Sequence, residues 1–224
     1  MRKKKEVEKN MKKLVVFDLD GTLVDTLGDL AGALNHGLTE CGFPTLTEHQ
    51  VSAIVGHSVP YMCQNAVPKD HEGDWQKVMT VYNAYYRKHC CDLSRPYEGI
   101  LKAVMQIKAA GVKMAVVSNK PHAFAVQVIN GLFPRDTFNM ILGRMERFAT
   151  KPAPDALNFA MTYFGVDRAD AVYVGDSEVD VEFARNAGLP CISCSWGFRT
   201  LEELRAAGAE HIIHDPGELP ETVL

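Results

Sequence analysis

The apolar run Leu14-Val15-Val16-Phe17 leads directly into Asp18-Leu19-Asp20-Gly21-Thr22-Leu23-Val24-Asp25-Thr26. A short apolar run bounded by a glycine turn reads as a buried strand. Side chains two apart on a strand share a face, so Asp18 and Asp20 stand together at its mouth. Carboxylates crowded in this way repel each other, and a hard divalent cation held by carboxylate and carbonyl oxygens removes that penalty. A polar turn at a strand end accounts for one Asp and for Gly21. It does not account for two acids at the end of a buried strand.

Three later segments bring polar groups to similar positions. Val116-Val117 runs into Ser118-Asn119-Lys120, Lys151 precedes Pro152-Ala153-Pro154-Asp155, and Val172-Tyr173-Val174-Gly175 runs into Asp176-Ser177-Glu178-Val179-Asp180. Each lies at the carboxyl end of a strand or the start of a helix, and in an open α/β sheet those ends meet in one crevice. Singly, Ser118 reads as a helix cap, Lys151 as a loop charge, and Ser177 with Asp180 as a capping box. Four such segments in register with strand ends point to a single site.

Between the first strand and residue 89 the apolar spacing is helical. Leu30, Leu34 and Leu38 repeat every four residues before Gly42 and Pro44. Val51, Ile54 and Val55 begin a second helical stretch broken near Gly56, and Trp75, Val78, Met79, Tyr82 and Tyr86 trace a third. After Pro96-Tyr97-Glu98-Gly99, strands and helices alternate. Strands are predicted at 113–117, 139–142, 171–174, 191–194 and 211–213, and helices at 100–110, 124–129, 154–164 and 178–187. This pattern predicts a doubly wound parallel sheet, an α/β fold. The expected organisation is an α/β core over 14–26 and 90–224, interrupted by a helical insertion over 27–89. Residues 1–13 are expected to form a disordered extension, with Met11 competing with Met1 as the natural start.

With 224 residues and 46% hydrophobic content, the chain can bury a full core. A net charge of −4 gives no footprint for nucleic acid, and no apolar stretch is long enough to span a bilayer. Six dispersed cysteines, with Cys191 and Cys194 in a strand-like run instead of at a helix start, are expected to be reduced and mostly buried in a cytoplasmic protein. The eight histidines show no zinc-ligand spacing. Arg199 reads as a solvated surface charge.

The four segments resemble, in order and position, the motif set of haloacid-dehalogenase superfamily phosphatases, whose first motif is Asp-x-Asp-Gly-Thr-Leu-x-Asp-Ser/Thr. The resemblance implies a Rossmann-like core with a helical cap domain inserted after the first strand. It implies a Mg²⁺-dependent phosphomonoester hydrolase with Asp18 as nucleophile and Asp20 as general acid and base. It implies metal ligation by Asp18, Asp176 and the backbone carbonyl of Asp20. Thr22, Ser118, Asn119 and Lys151 would bind phosphate, and Asp180 would anchor Lys151 or metal-bound water from behind. The cap stretch Ile54 to Met62, the junction Arg95 to Ile100 and Trp196-Gly197-Phe198-Arg199 are similar to those of phosphoglycolate phosphatases. That likeness implies 2-phosphoglycolate as substrate, with Gly56 and His57 as cap contacts. The partner is then a small phosphorylated metabolite, and the enzyme a monomer or homodimer.

Other activities in the superfamily are weighed against the same residues. Asp20 argues against dehalogenation, and the absence of lysine between 51 and 68 argues against phosphonatase chemistry. Thr22 favours hydrolysis over phosphoglucomutase chemistry. A pyrophosphatase, or a sugar-phosphate phosphatase or phosphoglucomutase of the same superfamily, is the alternative, and a non-catalytic binding protein would not need both Asp18 and Asp20.

Overall fold

The computed structural model describes residues 11–224. Strand β1 (Leu14–Phe17) is fully buried and is followed by a two-residue strand, β2 (Val24–Asp25). Four helices come next: α1 (Leu27–Glu40), α2 (Glu48–Ser52), α3 (Val59–Ala66) and α4 (Trp75–His89). The chain returns through β3 (Arg95–Pro96), which pairs antiparallel with β2. It then alternates through α5 (Ile100–Ala109), β4 (Lys113–Pro121), α6 (His122–Leu132), β5 (Met140–Arg144) and α7 (Asp155–Phe164). The last elements are β6 (Ala171–Gly175), α8 (Glu178–Ala187), β7 (Cys191–Cys194), α9 (Leu201–Ala206), β8 (His211–Ile213) and α10 (Glu218–Val223).

Six strands form one sheet in the order β5-β4-β1-β6-β7-β8, with every neighbouring pair parallel. Strand alternation divides the core into two faces. Val15, Phe17, Val116 and Val174 join a cluster with α1, α4, α5 and α6, while Leu14, Val16, Val117 and Tyr173 pack with α7 and α8. The chain moves outward from β1 through β4 to β5, then returns to β6 on the other side of β1. The carboxyl ends of β1, β4 and β6 therefore flank the point where strand order reverses, the usual place for a ligand crevice.

The α/β reading of the sequence stands, with differences in the short elements. Strands β2 and β3 are too brief to carry a period and were not predicted. Helix α3 begins with Ser58, whose hydroxyl accepts the Tyr61 amide at 3.2 Å, and has Pro60 in its first turn. Its eight residues give little apolar repeat, so only the cap signals it. The acid in the first turn of α1, Asp29, is buried and accepts from the Leu93 amide at 2.9 Å, the Ser94 amide at 2.8 Å and the Ser94 hydroxyl at 2.6 Å. It joins the start of the helical segment to the strand that leads back from it.

Most of the expected extension, residues 1–10, lies outside the described residues. The expectation does not hold for its last residues: Lys12 donates its amide to Val223 O and Lys13 its amide to Asp170 O, each at 2.8 Å. The first bond ties the chain to the last helix and the second to the residue before β6, which residue charge alone did not reveal. All six cysteines are free; three are buried and three partly exposed, so fewer are enclosed than expected. Among the described residues no helix is long and apolar enough to cross a membrane.

Two of the three glycines of helix α1 have opposite surroundings. A Cβ on Gly37 would lie 2.9 Å from Val78 O and 3.4 Å from Tyr82 N, so the backbones of α1 and α4 approach closely because Gly37 has no side chain. Gly32 is exposed, with nothing within 4 Å of such an atom. Gly37→Ala is expected to destabilise by about 1–3 kcal/mol through overpacking. Gly32→Ala should stabilise by up to about 1 kcal/mol through helix propensity. Urea denaturation of both variants checks the two signs.

Candidate active site

Asp18 follows β1 directly, and its amide continues the sheet by donating to Val174 O at 2.9 Å. The chain then turns at Gly21, which has φ +83° and donates to Val24 O at 2.9 Å. A Cβ at Gly21 would overlap the Asp176 carboxylate, so the turn can lie against Asp176 only with glycine here. Asp176 comes immediately after β6, and Ser118 to Lys120 fall in β4 where its pairing with β5 shifts register between Val117 and Pro121. That irregular stretch turns three successive polar residues toward the crevice region.

Lys151 is buried among anions. Its Nζ lies 3.0 Å from Asp18 Oδ1 and donates to Asp180 Oδ1 at 2.8 Å and to the Tyr173 hydroxyl at 2.9 Å. The Tyr173 hydroxyl in turn donates to Asp180 Oδ1 at 2.9 Å. Asp180 Oδ2 accepts the Ser177 hydroxyl at 2.7 Å and the Asp176 and Ser177 amides, so both of its oxygens are fully engaged. Ser177 and Asp180 thus do form a capping box at the start of α8, and Asp180 anchors Lys151 as well. Burial opposes charge at Asp180, but Lys151 and the hydroxyls of Ser177 and Tyr173 hold its carboxyl below the ordinary range. Burial likewise opposes the Lys151 charge, and Asp18 with Asp180 more than restore it.

Asp18 and Asp176 are placed differently. Burial pushes the Asp18 carboxyl up to about 7 against the pull of Lys151. Burial and the neighbouring Asp180 and Asp18 drive Asp176 well above the carboxylate range. Asp18 Oδ1 is buried and has no aligned hydrogen-bond donor even though Lys151 lies nearby. One ammonium thus faces three carboxylates whose oxygens lie within 4.8 Å of one another. Asp18 and Asp176 have the chemistry to hold a hard cation in this group, whereas Asp180 is already committed to its donors.

Asp20 belongs to a second, adjacent network. Its Oδ1 accepts from Lys120 Nζ and from Thr26 Oγ1, both at 2.8 Å, and Oδ2 has no protein donor among the described residues. Lys120 is itself buried, with Nζ 4.7 Å from the centre of the Tyr86 ring of α4. The carboxylate of Asp20 is thus paired outside the group formed by Asp18, Asp176 and Asp180.

A cleft of about 440 Å³, its open mouth included, lies between the strand ends and the helical segment. From the sheet it is lined by Asp18, Asp20, Ser118, Asn119 and Lys120, and from the helices by residues that include Gly56 and His57. Asn119 Nδ2 donates to Gly56 O at 3.0 Å, and its Oδ1 accepts the Lys151 amide at 2.8 Å. His57 Nε2 lies 3.8 Å from Glu178 Oε1 and its ring packs on Tyr61.

Two sequence expectations change. Thr22 is fully buried beneath the cleft and donates its hydroxyl to Asp176 Oδ1 at 3.0 Å, so it orients an acid instead of facing a phosphate. Arg199 is 8% exposed, not solvated, because the loop after β7 folds under the helical segment. The same loop lends the Phe198 amide to Asp176 Oδ2 at 2.8 Å and the Trp196 indole N–H to Thr22 O at 3.1 Å. Sequence reasoning missed Lys120, Thr26 and Tyr173. Lys120 carried a usable signal, since it stands beside Ser118 and Asn119 at a strand end. Thr26 carried one too, as the Ser/Thr that closes the motif begun at Asp18, whereas Tyr173 carried none.

The sequence matches the haloacid dehalogenase-like hydrolase family over residues 15–194. It is 36% identical over 193 residues to the phosphoglycolate phosphatase of Pseudomonas savastanoi pv. phaseolicola, covering 83% of this chain and 70% of that protein. It is 32% identical over 212 residues to the phosphoglycolate phosphatase of Neisseria meningitidis serogroup A, covering 92% and 90%. The crystal structure of a candidate phosphoglycolate phosphatase from Lactobacillus delbrueckii subsp. bulgaricus superposes with a TM-score of 0.90 at 31% identity, covering 96% of this chain and 99% of that one.

The carboxyl cluster has a consequence for stability. Asp18 holds its proton more tightly in the folded chain than in the unfolded one, so its ionisation costs stability as pH rises from about 4 through about 7. In metal-free protein at pH 8, Asp18→Asn is expected to raise the thermal midpoint, with little gain at pH 4, as read by calorimetry. Asp180→Ala should instead lower stability by about 3–5 kcal/mol, because it removes the carboxylate that pairs with Lys151 and leaves the buried Tyr173 and Ser177 hydroxyls without their acceptor.

Proposed function

The chain belongs to the haloacid dehalogenase-like hydrolase family and is a phosphatase, and from that premise we propose that it hydrolyses 2-phosphoglycolate with Mg²⁺ through an aspartyl-phosphate on Asp18. The observation that carries the covalent step is Asp18 itself, a carboxylate at the floor of the cleft with a buried oxygen that no donor satisfies. An Asp18 oxygen attacks phosphorus and the ester oxygen leaves, taking a proton from Asp20. Water then attacks the phosphorus of the acyl phosphate, Asp20 takes its proton back, and Asp18 is released with inorganic phosphate. Lys120 and Thr26 both bind Oδ1 of Asp20, which leaves Oδ2 as the oxygen that carries the proton.

Asp18, Asp176 and the backbone carbonyl of Asp20 would hold Mg²⁺, which would supply the positive charge that lets an anionic nucleophile meet an anionic ester. Ser118, the Asn119 amide and Lys151 hold the phosphoryl oxygens, and Asp180 with Tyr173 fixes Lys151. Positioning and charge neutralisation of this kind supply most of the catalysis in phosphoryl transfer. The helical segment over 27–89 acts as the cap, with Gly56 and His57 at the organic end of the substrate. The choice of 2-phosphoglycolate is supported by the activity named for the Pseudomonas savastanoi and Neisseria meningitidis relatives.

Asp18→Asn is expected to lower kcat by at least about four orders of magnitude, because the amide neither attacks phosphorus nor binds the cation as an anion. Near-wild-type turnover would remove Asp18 from the mechanism. A panel of phosphomonoesters, pyrophosphate and glucose 1-phosphate, compared by kcat/KM with Mg²⁺ and after chelation, tests substrate and metal together. Preference for pyrophosphate or a sugar phosphate would replace the phosphoglycolate reading. Asp20→Asn should impair formation of the acyl phosphate far more for an alkyl ester than for an ester with a good leaving group, which departs unprotonated. Single-turnover kinetics with both esters decide that point.

A further inference from the structure

Arg199 lies outside the lining of the cleft, yet its guanidinium bridges the α/β unit and the helical segment at the cleft's rim. Its Nε donates to Glu178 Oε2 at 2.8 Å and its Nη2 to Glu178 Oε1 at 3.2 Å, a two-pronged pair within the α/β unit. From the other edge, Nη1 donates to Ser52 O at 2.8 Å and Nη2 to Val55 O at 2.9 Å. Ser52 is the last residue of α2, so its carbonyl is one of those a helix leaves without a partner and lies at the negative end of the helix dipole. We propose that Arg199 is a positioning residue: with Glu178 as counterion, it clasps the segment from Ser52 to His57 against the α/β unit and thereby sets how tightly the organic part of the substrate is held.

Two features make this segment the place where such a clasp would act. Val55, Gly56 and His57 all line the cleft. They are attached to the α/β unit at two separate points: Gly56 O receives Asn119 Nδ2 from the phosphate side, and Val55 O receives Arg199 from the outside. A Cβ at Gly56 would stand 3.7 Å from Arg199 Nη2, so the guanidinium packs directly behind the loop. Removing Arg199 frees one attachment without touching Asp18, Asp20 or Lys151. Arg199 also has no edge left for a substrate anion, because both edges of its fork are occupied. Lysine cannot replace it, since a single ammonium does not offer a planar fork that reaches a carboxylate and two carbonyls at once.

The kinetic part of the proposal rests on the phosphatase reading above, whereas the mechanical part does not. The amides of Ile54 and Val55 donate to Val51 O and report on the loop. In Arg199→Met these two amides are expected to exchange with solvent about tenfold faster, the loss of charged hydrogen bonds, while those of β1 and β6 keep their wild-type rates. With the preferred ester, KM should rise about tenfold while kcat stays within about twofold, and kcat/KM for a small aryl phosphate should not move. Arg199→Lys should restore neither the exchange rate nor KM. Glu178→Gln, which keeps Arg199 but weakens its hold, should shift both in the same direction by less, and it decides the matter should Arg199→Met not fold.

Unchanged exchange at Ile54 and Val55 in folded Arg199→Met, or in Glu178→Gln where only that variant folds, would overturn the clasp. So would recovery of KM in Arg199→Lys, which would make Arg199 a simple charge. A loss of kcat equal for every ester would overturn it too, by placing Arg199 in the chemistry. A wild-type protein without phosphatase activity would count against the functional reading instead, and the exchange experiment would still decide the clasp.

Discussion

An ammonium buried as deeply as that of Lys151 is tolerated only beside anions, and here it meets Asp18, Asp180 and the Tyr173 hydroxyl at about hydrogen-bond distance. Those groups come from the end of β1, the middle of β6 and the first turn of α8, so the ion cluster ties together segments far apart in the chain. The parallel sheet makes this possible by ending its strands in one place. The cluster in turn limits what the sheet can change, because losing one partner leaves an uncompensated charge inside the protein. Asp180 is the clearest case: five donors converge on its two oxygens.

The same cluster is not balanced. Three carboxylates face one ammonium, and the excess shows in the raised carboxyls of Asp18 and Asp176. A structure built only for stability would not gather charge in this way. Here the strain resides in the two acids best placed to meet a cation and a phosphoryl group. Asp20, two residues from Asp18, is paired instead with Lys120 and Thr26. Neighbouring acids thus have different environments, which suits them to different chemical roles.

The helical segment meets the sheet through polar contacts as well as apolar packing. Asp29 fixes its base, Asn119 and Arg199 fix the loop over the cleft, and Lys120 reaches the Tyr86 ring. Each of these contacts joins residues more than sixty apart in the amino-acid sequence, except the Lys120–Tyr86 contact, which spans thirty-four. Such contacts leave no local signature.

The amino-acid sequence by itself determined the six strands of the main sheet, their alternation with helices and the acidic strand ends. Those features follow from local rules: apolar runs, glycine turns and capping residues act over a few positions and are legible in any window that contains them. The α/β class and the gathering of Asp18, Ser118, Lys151 and Asp176 near one another could therefore be read in advance. The direction of each side chain within that gathering was decided by tertiary structure. Thr22 turned beneath the cleft because Asp176 lay within reach of its hydroxyl, and Asp20 turned aside because Lys120 was buried opposite. Arg199 was read as solvated, since nothing near it in the chain would cover it. Its cover, the carbonyls of Ser52 and Val55, comes from about 145 residues away, and only the packing of the helical segment on the sheet, held by directional hydrogen bonds with no sequence period, brings it there.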